Sequence, residues 1–272
     1  MINISELIKI AVEASILAGN KILEVYNSND FNIQIKKDKS PLTQADKNSH
    51  NEIMRFLEKI DIPIMSEEGN IADYNERKHW EYYWCIDPLD GTKEFIKKND
   101  EFTVNIALIN KTKPVMGVIY VPVLQELYVG ADEFGAVKIN DISIKNYKDF
   151  INNDIFKSGE KLPKKIQKSK YTIVGSRSHM NSETEEFIEK YKQKYGEVDI
   201  ISKGSSLKLC MVAEGLADIY PRFAPTMEWD TAAGNAIATA AGFVVTKQDG
   251  KTNLDYNKEN LLNPWFIVKS KD

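Results

Sequence analysis

The segment "IDPLDGTKEF" places two aspartates three residues apart, directly after an apolar run that we expect to be a strand ending at Asp87. Pro88 fixes the backbone of the turn and Gly91 allows a tight bend, so the carboxylates of Asp87 and Asp90 face one small volume. The carbonyl oxygen of Leu89 can point there too. Neighbouring carboxylates repel each other, which raises one pKa or requires a cation. Hard oxygen donors without histidine or cysteine favour Mg²⁺ or Mn²⁺ over zinc.

Taken alone, this motif fits a metal site and a solvated, capped turn equally well. Three other acidic segments, which contain Glu67–Glu68, Asp230 and Asp46, favour the metal site. Glu67 and Glu68 follow the apolar strand "IPIMS", and Asp230 begins a helix rich in alanine and glycine, "EWDTAAGNAIATAAG". Small side chains let such a helix approach another element closely, which would bring its positive end and Asp230 to a shared site. Asp46 lies three residues after Thr43, a spacing that by itself indicates a capping box at a helix start.

The segment "GSSLKLCMVAEGLADIYPRF" carries the residues that would bind a second anionic group. Gly204, Ser205 and Ser206 precede a helix, and we expect their N–H groups and hydroxyls to contact a phosphate. Lys208 and Arg222 add positive charge away from the carboxylates, and the planar fork of arginine suits a phosphate. The alternative is an ordinary capped helix with two surface cations.

These segments, in this order, resemble the inositol monophosphatase superfamily of metal-dependent phosphatases. The match is carried by "SEEG", "DPLDGT" and "WDTAAG". More narrowly, the chain is similar to the bacterial 3′(2′),5′-bisphosphate nucleotidase branch, on the strength of "SPLTQAD", "YYWCIDPLDGTKEFIKKNDEFTVNIALI", "GSSLKLCMVAEGLADIYPRF" and "EWDTAAGNAIATAAG". Only about residues 135–170 lie outside the resemblance.

The resemblance implies an α/β fold, an alternating α/β/α/β/α sandwich, and a site that binds two or three Mg²⁺ ions. The implied metal ligands are Glu67, Asp87, the Leu89 carbonyl, Asp90 and Asp230. In the catalytic group that it implies, Thr92 positions the attacking water, Asp46 pairs with Thr92, and Glu67 accepts or orients the proton of that water. The residues expected to contact substrate are Glu67, Leu89, Asp90, Gly91, Thr92, Gly204, Ser205, Ser206, Lys208, Arg222 and Asp230.

The function implied by the resemblance is hydrolysis of adenosine 3′,5′-bisphosphate to AMP and phosphate, with a link to sulfur metabolism and sensitivity to lithium. Lys208 and Arg222 favour this substrate, because a monophosphorylated sugar alcohol has no second phosphate to neutralise. One alternative is an inositol or sugar monophosphatase of the same superfamily. Another is a nucleotide-binding regulator without catalysis, which predicts a missing ligand residue, whereas none is missing from these motifs.

Composition limits the partners and the cellular location that fit this chain. The chain has 272 residues and a formal net charge of −4, without a basic face, so nucleic-acid polymers are poor candidate partners. No stretch of about eighteen apolar residues indicates a membrane span. Cys85 and Cys210 each lie in an apolar run and are typical of reduced core residues, which predicts a cytoplasmic protein. Peripheral association with the inner membrane stays compatible with the sequence, as do a monomer and a homodimer.

Periodicity predicts a helix over residues 3–27 and three successive strands in "FTVNIALIN", "KPVMGVIYVPV" and "ELYVGA". Strands and helices alternate from residue 171 onward. We therefore expect two packed halves, residues 1–135 with most of the metal ligands and residues 136–272 with the substrate-binding residues and Asp230. The Lys- and Asn-rich stretch 138–170 is expected to be a surface connection.

Overall fold

The computed structural model describes residues 2–28, 31–35, 41–176 and 181–271. Its helices are α1 (Ile4–Ser28), α2 (Gln44–Leu57), α3 (Tyr74–Arg77), α4 (Thr92–Ile96), α5 (Tyr147–Asn152), α6 (Ile155–Ser158), α7 (Ser182–Tyr195), α8 (Leu207–Glu214) and α9 (Glu228–Ala240). None of the helices within these ranges combines the length and apolar character that a membrane span requires.

The strands are β1 (Gln34–Ile35), β2 (Pro41–Leu42), β3 (Ile64–Ser66), β4 (Tyr82–Asp90), β5 (Thr103–Asn110), β6 (Lys113–Val121), β7 (Glu126–Ala131), β8 (Gly135–Ile139), β9 (Glu160–Leu162), β10 (Tyr171–Ser176), β11 (Val198–Lys203), β12 (Ile219–Arg222), β13 (Phe243–Lys247) and β14 (Phe266–Ser270). The long N-terminal helix, the three-strand meander and the alternating second half are confirmed. Strands β1 and β2 form a separate antiparallel pair.

A seven-stranded sheet contains β3 to β9 in chain order. Strand β3 runs parallel to β4, and the other neighbours are antiparallel. Successive side chains of a strand point to opposite faces of this sheet, and two neighbouring buried residues of β4 show this. Trp84 packs toward α1 and α2, whereas Tyr83 belongs to the core that contains α8 and α9.

The second sheet has five strands in the order β11-β10-β12-β14-β13. Its inner face shares a core with α8, α9 and the larger sheet, through residues such as Val174 and Val268. Its outer face packs on α7 through Ile188 and Phe223. The layers are therefore helix, sheet, helix, sheet and helix, and the predicted α/β/α/β/α sandwich is confirmed.

The expectation that the strand ends at Asp87 is wrong. Strand β4 continues to Asp90, and its register against β5 shifts, since Asp87 lies opposite Asn105 and Asp90 opposite Thr103. Three steps along β4 thus match two along β5, which defines a β-bulge. The extra residue re-aims the side chains of this segment, and this is how "DPLD" directs two carboxylates toward one region.

Residues 138–170 were expected to be a surface connection, and this is wrong. They include α5, α6 and β9, and Tyr147 and Ile155 are buried in the core beneath the larger sheet. Each of these short elements buries only a few apolar residues. The polar residues around them therefore obscure the apolar periodicity from which a helix or strand is predicted. The chain leaves the larger sheet after Leu162 and enters the smaller one at Tyr171. That change lies later than residue 135, and the division into halves 1–135 and 136–272 stays a prediction.

Helix α9 lies very close to the larger sheet, as its small side chains predicted. A methyl group at Gly117 on β6 would lie 2.3 Å from the carbonyl oxygen of Ala233, and one at Gly130 on β7 would lie 2.6 Å from the Cα of Ile237. Only glycine therefore fits beneath the helix at these two points. This contact sets the depth of α9 and, through it, the position of Asp230.

We expect Gly117→Ala to lower the free energy of unfolding by about 2 kcal/mol or more, because the contacting backbone of α9 must shift to admit the methyl group. Urea unfolding measures the change. Gly69→Ala is the matched control, since a methyl group there meets atoms only at 3.5 Å and beyond. Equal stability of the two variants would contradict the importance of the close helix–sheet contact.

Candidate active site

Three carboxylates from distant parts of the chain converge at one point. Oxygen atoms of Glu67, Asp87 and Asp230 all lie within 4.8 Å of one another. Glu67 follows β3, Asp87 lies at the bulge of β4, and Asp230 is in the first turn of α9. The parallel pairing of β3 with β4 and the close approach of α9 bring these three segments together.

The electrostatics of this group favour the binding of a cation. Burial, followed by the charges of Glu67, Asp90 and Asp230, raises the pKa of Asp87 well above its usual range. Burial, followed by the charges of Asp90 and Glu67, raises the pKa of Asp230 to about 8. Carboxylates that repel each other this strongly stay ionised only beside a positive charge. Because the donors are all carboxylate oxygens, the group fits a hard divalent cation.

Asp90, the fourth predicted carboxylate, lies beside these three and is held by the loop before α8. The hydroxyls of Ser205 and Ser206 donate to its Oδ2 at 2.9 and 2.5 Å. The hydroxyl of Ser206 also lies 3.2 Å from the carbonyl oxygen of Asp230. The two serines therefore join the second half of the chain to the carboxylate group.

The predicted capping box at the start of α2 is confirmed and extends to Thr92. Asp46 accepts hydrogen bonds at Oδ2 from the backbone N–H and the hydroxyl of Thr43, at 2.7 and 2.6 Å. Its other oxygen, Oδ1, lies 3.2 Å from Thr92 Oγ1. Thr92 Oγ1 also lies 3.4 Å from the carbonyl oxygen of Leu89. The structure thus brings Asp46, Thr92 and the Leu89 carbonyl together, as the resemblance implied.

Two further residues of α2 form hydrogen bonds to the segments that carry the carboxylates, and no sequence motif indicated either of them. The Ser49 hydroxyl donates to the carbonyl oxygen of Pro88 at 2.6 Å. His50 Nδ1 lies 3.0 Å from the hydroxyl of Ser66, the residue before Glu67. A signal was available, since Asp46, Ser49 and His50 have the i, i+3, i+4 spacing of one helix face. That face meets both acidic segments.

A cleft of about 330 Å³ connects the carboxylates to the predicted cations. Asp90, Thr92 and Asp230 line it, and so do Lys208 and Arg222. Gly91, at its edge, has φ +93° at the start of α4, a conformation that favours glycine. The cleft is therefore lined by both acidic and basic side chains.

Lys208 and Arg222 differ in their surroundings. The Lys208 side chain is buried, and its Nζ donates to the carbonyl oxygens of Ser205 and Lys203 at 2.5 and 3.3 Å. Burial lowers the pKa of Lys208 to about 8, against the opposing effect of Asp90. Arg222 is partly exposed and donates to the Pro225 carbonyl at 3.1 Å. Both cations therefore keep N–H groups that a ligand could use.

The expected phosphate contacts from backbone N–H groups before α8 are wrong in part. The N–H of Gly204 donates to Glu101 Oε2 at 2.8 Å, and that of Ser206 donates to Ser205 Oγ at 2.6 Å. Both backbone N–H groups thus form hydrogen bonds within the protein. Gly204 and Ser205 still line the cleft. Glu101 is distant in sequence from the loop before α8. No local sequence pattern therefore indicates that this loop is hydrogen-bonded to Glu101.

Comparison with known proteins assigns the family. The model of the inositol monophosphatase family matches residues 3–267. The chain belongs to the inositol monophosphatase family. Members of this family depend on metal ions, which agrees with the convergent carboxylates.

Family members similar to this chain carry more specific names. The 3′(2′),5′-bisphosphate nucleotidase CysQ of Salmonella typhimurium is 45% identical over 256 residues, which cover 92% of this chain and 94% of the relative. The same-named protein of Escherichia coli K12 is 43% identical with the same coverage. The crystal structure of CysQ from Bacteroides thetaiotaomicron is 48% identical, with a TM-score of 0.90 over 98% of both chains.

The raised carboxyl pKa values lead to a prediction for this family member. Folding raises the pKa of Asp230 from 3.8 to about 8. The protonated carboxyl therefore stabilises the metal-free fold fully below pH 3.8. That stability is lost as the pH rises through about 8. The ionised carboxylates would hold a divalent cation, so we expect the rise in melting temperature on adding Mg²⁺ to grow between pH 3.8 and about 8.

Melting curves with Mg²⁺ and with chelator at several pH values measure this effect. The matched control is Asp61→Asn, because Asp61 is exposed and lies outside the carboxylate group. It should leave the pH dependence unchanged. A magnesium-induced shift of the same size at acid and at alkaline pH would contradict the coupling between the raised pKa values and metal binding.

Proposed function

We propose that this protein is a metal-dependent 3′(2′),5′-bisphosphate nucleotidase that hydrolyses adenosine 3′,5′-bisphosphate to AMP and phosphate. The observation that carries the proposal is the single cleft that is lined both by Asp90 and Asp230 and by the cations Lys208 and Arg222. A substrate with two phosphates matches such a cleft. The nucleotidases named above, with over 40% identity across most of both chains, support the same reaction.

The proposed ligands of Mg²⁺ are Glu67, Asp87, the Leu89 carbonyl, Asp90 and Asp230. When bound there, Mg²⁺ would lower the pKa of water and offset negative charge on the phosphate oxygens. The chain itself supplies a rigid set of oxygen donors, since Asp87 accepts the N–H of Leu89 at 3.0 Å and Asp230 accepts the N–H of Met227 at 2.8 Å. These contacts fix the direction of each carboxylate before a ligand arrives.

Thr92 and Asp46 would orient the attacking water. Asp46 is buried and already accepts two hydrogen bonds from Thr43, so it stays fixed at the start of α2. When Thr92 donates a hydrogen bond to Asp46, the Thr92 oxygen keeps a lone pair free to accept a hydrogen bond from the attacking water. The water then presents its own lone pair to the phosphorus, and the proton that it loses would pass to the Glu67 carboxylate.

Lys208 and Arg222 would bind the phosphate that is not removed. Two of the three Lys208 N–H donors are used by carbonyl oxygens, which leaves one for a phosphate. Burial lowers the pKa of Lys208 although nearby Asp90 opposes the shift, and a phosphate would add negative charge that favours the protonated lysine. A monophosphate held by the carboxylate group through a metal would leave Lys208 and Arg222 without a second phosphate to bind.

The proposal is tested by comparing adenosine 3′,5′-bisphosphate with inositol 1-phosphate as substrates. We expect a kcat/KM at least about a hundredfold higher for the nucleotide, because charge-assisted hydrogen bonds to the second phosphate contribute about 1.5–3 kcal/mol each. Chelator should abolish both activities. A preference for the inositol ester would favour the inositol monophosphatase alternative, and release from neither ester would favour the non-catalytic regulator.

The remaining details stay predictions. They include magnesium rather than manganese, two or three ions, sensitivity to lithium, a role in sulfur metabolism, a cytoplasmic location, and a monomer or homodimer.

A further inference from the structure

Asp90 is held mainly through one of its two oxygens. Oδ2 accepts from Ser205 Oγ at 2.9 Å, from Ser206 Oγ at 2.5 Å and from Asn105 Nδ2 at 3.4 Å. Within the described chain, no hydrogen bond is formed to Oδ1. Three donors on one oxygen restrict the plane of the carboxylate, and Oδ1 stays available to a cation.

Asn105 connects these donors. Its Nδ2 lies 2.7 Å from Ser206 Oγ, and its Oδ1 accepts from Thr103 Oγ1 at 2.9 Å. Thr103 Oγ1 also lies 2.7 Å from Ser205 Oγ. Asn105 and Thr103 are buried in β5, opposite the bulged residues of β4. The side-chain amide is therefore oriented by Thr103 so that its donors face Ser206 and Asp90.

The loop that carries the two serines needs such support. Ser205 has φ +52°, a left-handed conformation that is uncommon for residues other than glycine. Residues in this region persist where surrounding contacts determine them, and they cluster at functional sites. Thr103 on the side chain and Lys208 Nζ on the carbonyl oxygen provide these contacts.

We infer that Asn105, oriented by Thr103, is a positioning residue that aims Asp90 at the metal. The inference rests on the proposed metal-dependent function and adds to it a residue that no motif of the sequence marked. Asn105 acts through Asp90 and Ser206 and does not itself touch metal or substrate. Residues that orient metal ligands by hydrogen bonding commonly change metal affinity by about ten- to a hundredfold when they are replaced.

The test is a titration of the full-length protein with Mg²⁺ in the absence of substrate, followed by the rise in melting temperature. We expect Asn105→Ala to raise the half-saturating Mg²⁺ concentration by about ten- to a hundredfold. Thr103→Val keeps the volume and removes only the hydroxyl, and it should raise that concentration by about tenfold, the lower end of the same range. If Asn105→Ala does not fold, Thr103→Val decides.

Asn235→Ala is the matched control. Asn235 is also buried, and it donates to the Tyr256 hydroxyl and accepts from Thr239, away from the carboxylates. It should lower the melting temperature in chelator as Asn105→Ala does, yet leave the half-saturating Mg²⁺ concentration unchanged. An unchanged Mg²⁺ affinity in both β5 variants would overturn this inference alone. A wild-type protein that Mg²⁺ does not stabilise would overturn the proposed metal site and this inference with it.

Discussion

Replacing Asp87 by asparagine is expected to lower hydrolysis of adenosine 3′,5′-bisphosphate by about a thousandfold, equivalent to about 4 kcal/mol of transition-state stabilisation. Asparagine keeps the shape of the side chain and can still accept the N–H of Leu89. It removes the negative charge at the centre of the carboxylate group. The loss should therefore arise from weaker metal binding and not from unfolding.

The same substitution should make the metal-free protein more stable. Burial and the charges of Glu67, Asp90 and Asp230 raise the pKa of Asp87, so this carboxyl destabilises the metal-free fold at neutral and alkaline pH. A neutral amide relieves that repulsion. We expect lower activity and a higher melting temperature in chelator, measured on one preparation. Activity within tenfold of wild type, or a lower melting temperature, would contradict the assigned role of Asp87.

Arg222→Ala is expected to raise KM for adenosine 3′,5′-bisphosphate by about ten- to a hundredfold, because a charge-assisted hydrogen bond contributes about 1.5–3 kcal/mol. The change in kcat should be small, since Arg222 would contact the phosphate that is not removed. KM for inositol 1-phosphate should change little. Steady-state kinetics with both esters measures this difference.

Two further variants sharpen the result. Arg222→Lys keeps the charge but loses the planar fork, so it should recover only part of the affinity. Arg55→Ala is the matched control, because Arg55 lies exposed on α2 and pairs with Glu52. Equal increases in KM for the nucleotide and the inositol ester would show that Arg222 supports the cleft generally and does not recognise a second phosphate.

The sequence was most informative where function depends on local geometry. The Thr43–Asp46 capping box follows from spacing within one helical turn, and the structure shows it directly. The acidic residues at the ends of β3 and β4 could be predicted from the sequence. An apolar run followed by carboxylates can be recognised without knowing which strand or helix packs beside it. Their convergence with Asp230 required the family resemblance, since no local rule states which helix meets which strand.

The sequence was least informative where hydrogen-bond partners are far apart in the chain. Asn105 and Ser206 are separated by 101 positions, and Glu101 and Gly204 by 103. A buried strand such as "FTVNIALIN" gives no sign that its polar residues face a distant serine loop. The β-bulge at Asp87 to Asp90 was missed for a similar reason, because it is defined by register against β5 and not by β4 alone.

The most direct test of the central claim is hydrolysis of adenosine 3′,5′-bisphosphate by the magnesium-loaded protein in water enriched in oxygen-18, with the products separated and weighed by mass spectrometry. We expect AMP without heavy oxygen and inorganic phosphate with one heavy oxygen atom, because water attacks the 3′-phosphorus directly. Heavy oxygen in AMP, release of adenosine 3′-phosphate in place of AMP, or no reaction would contradict this mechanism.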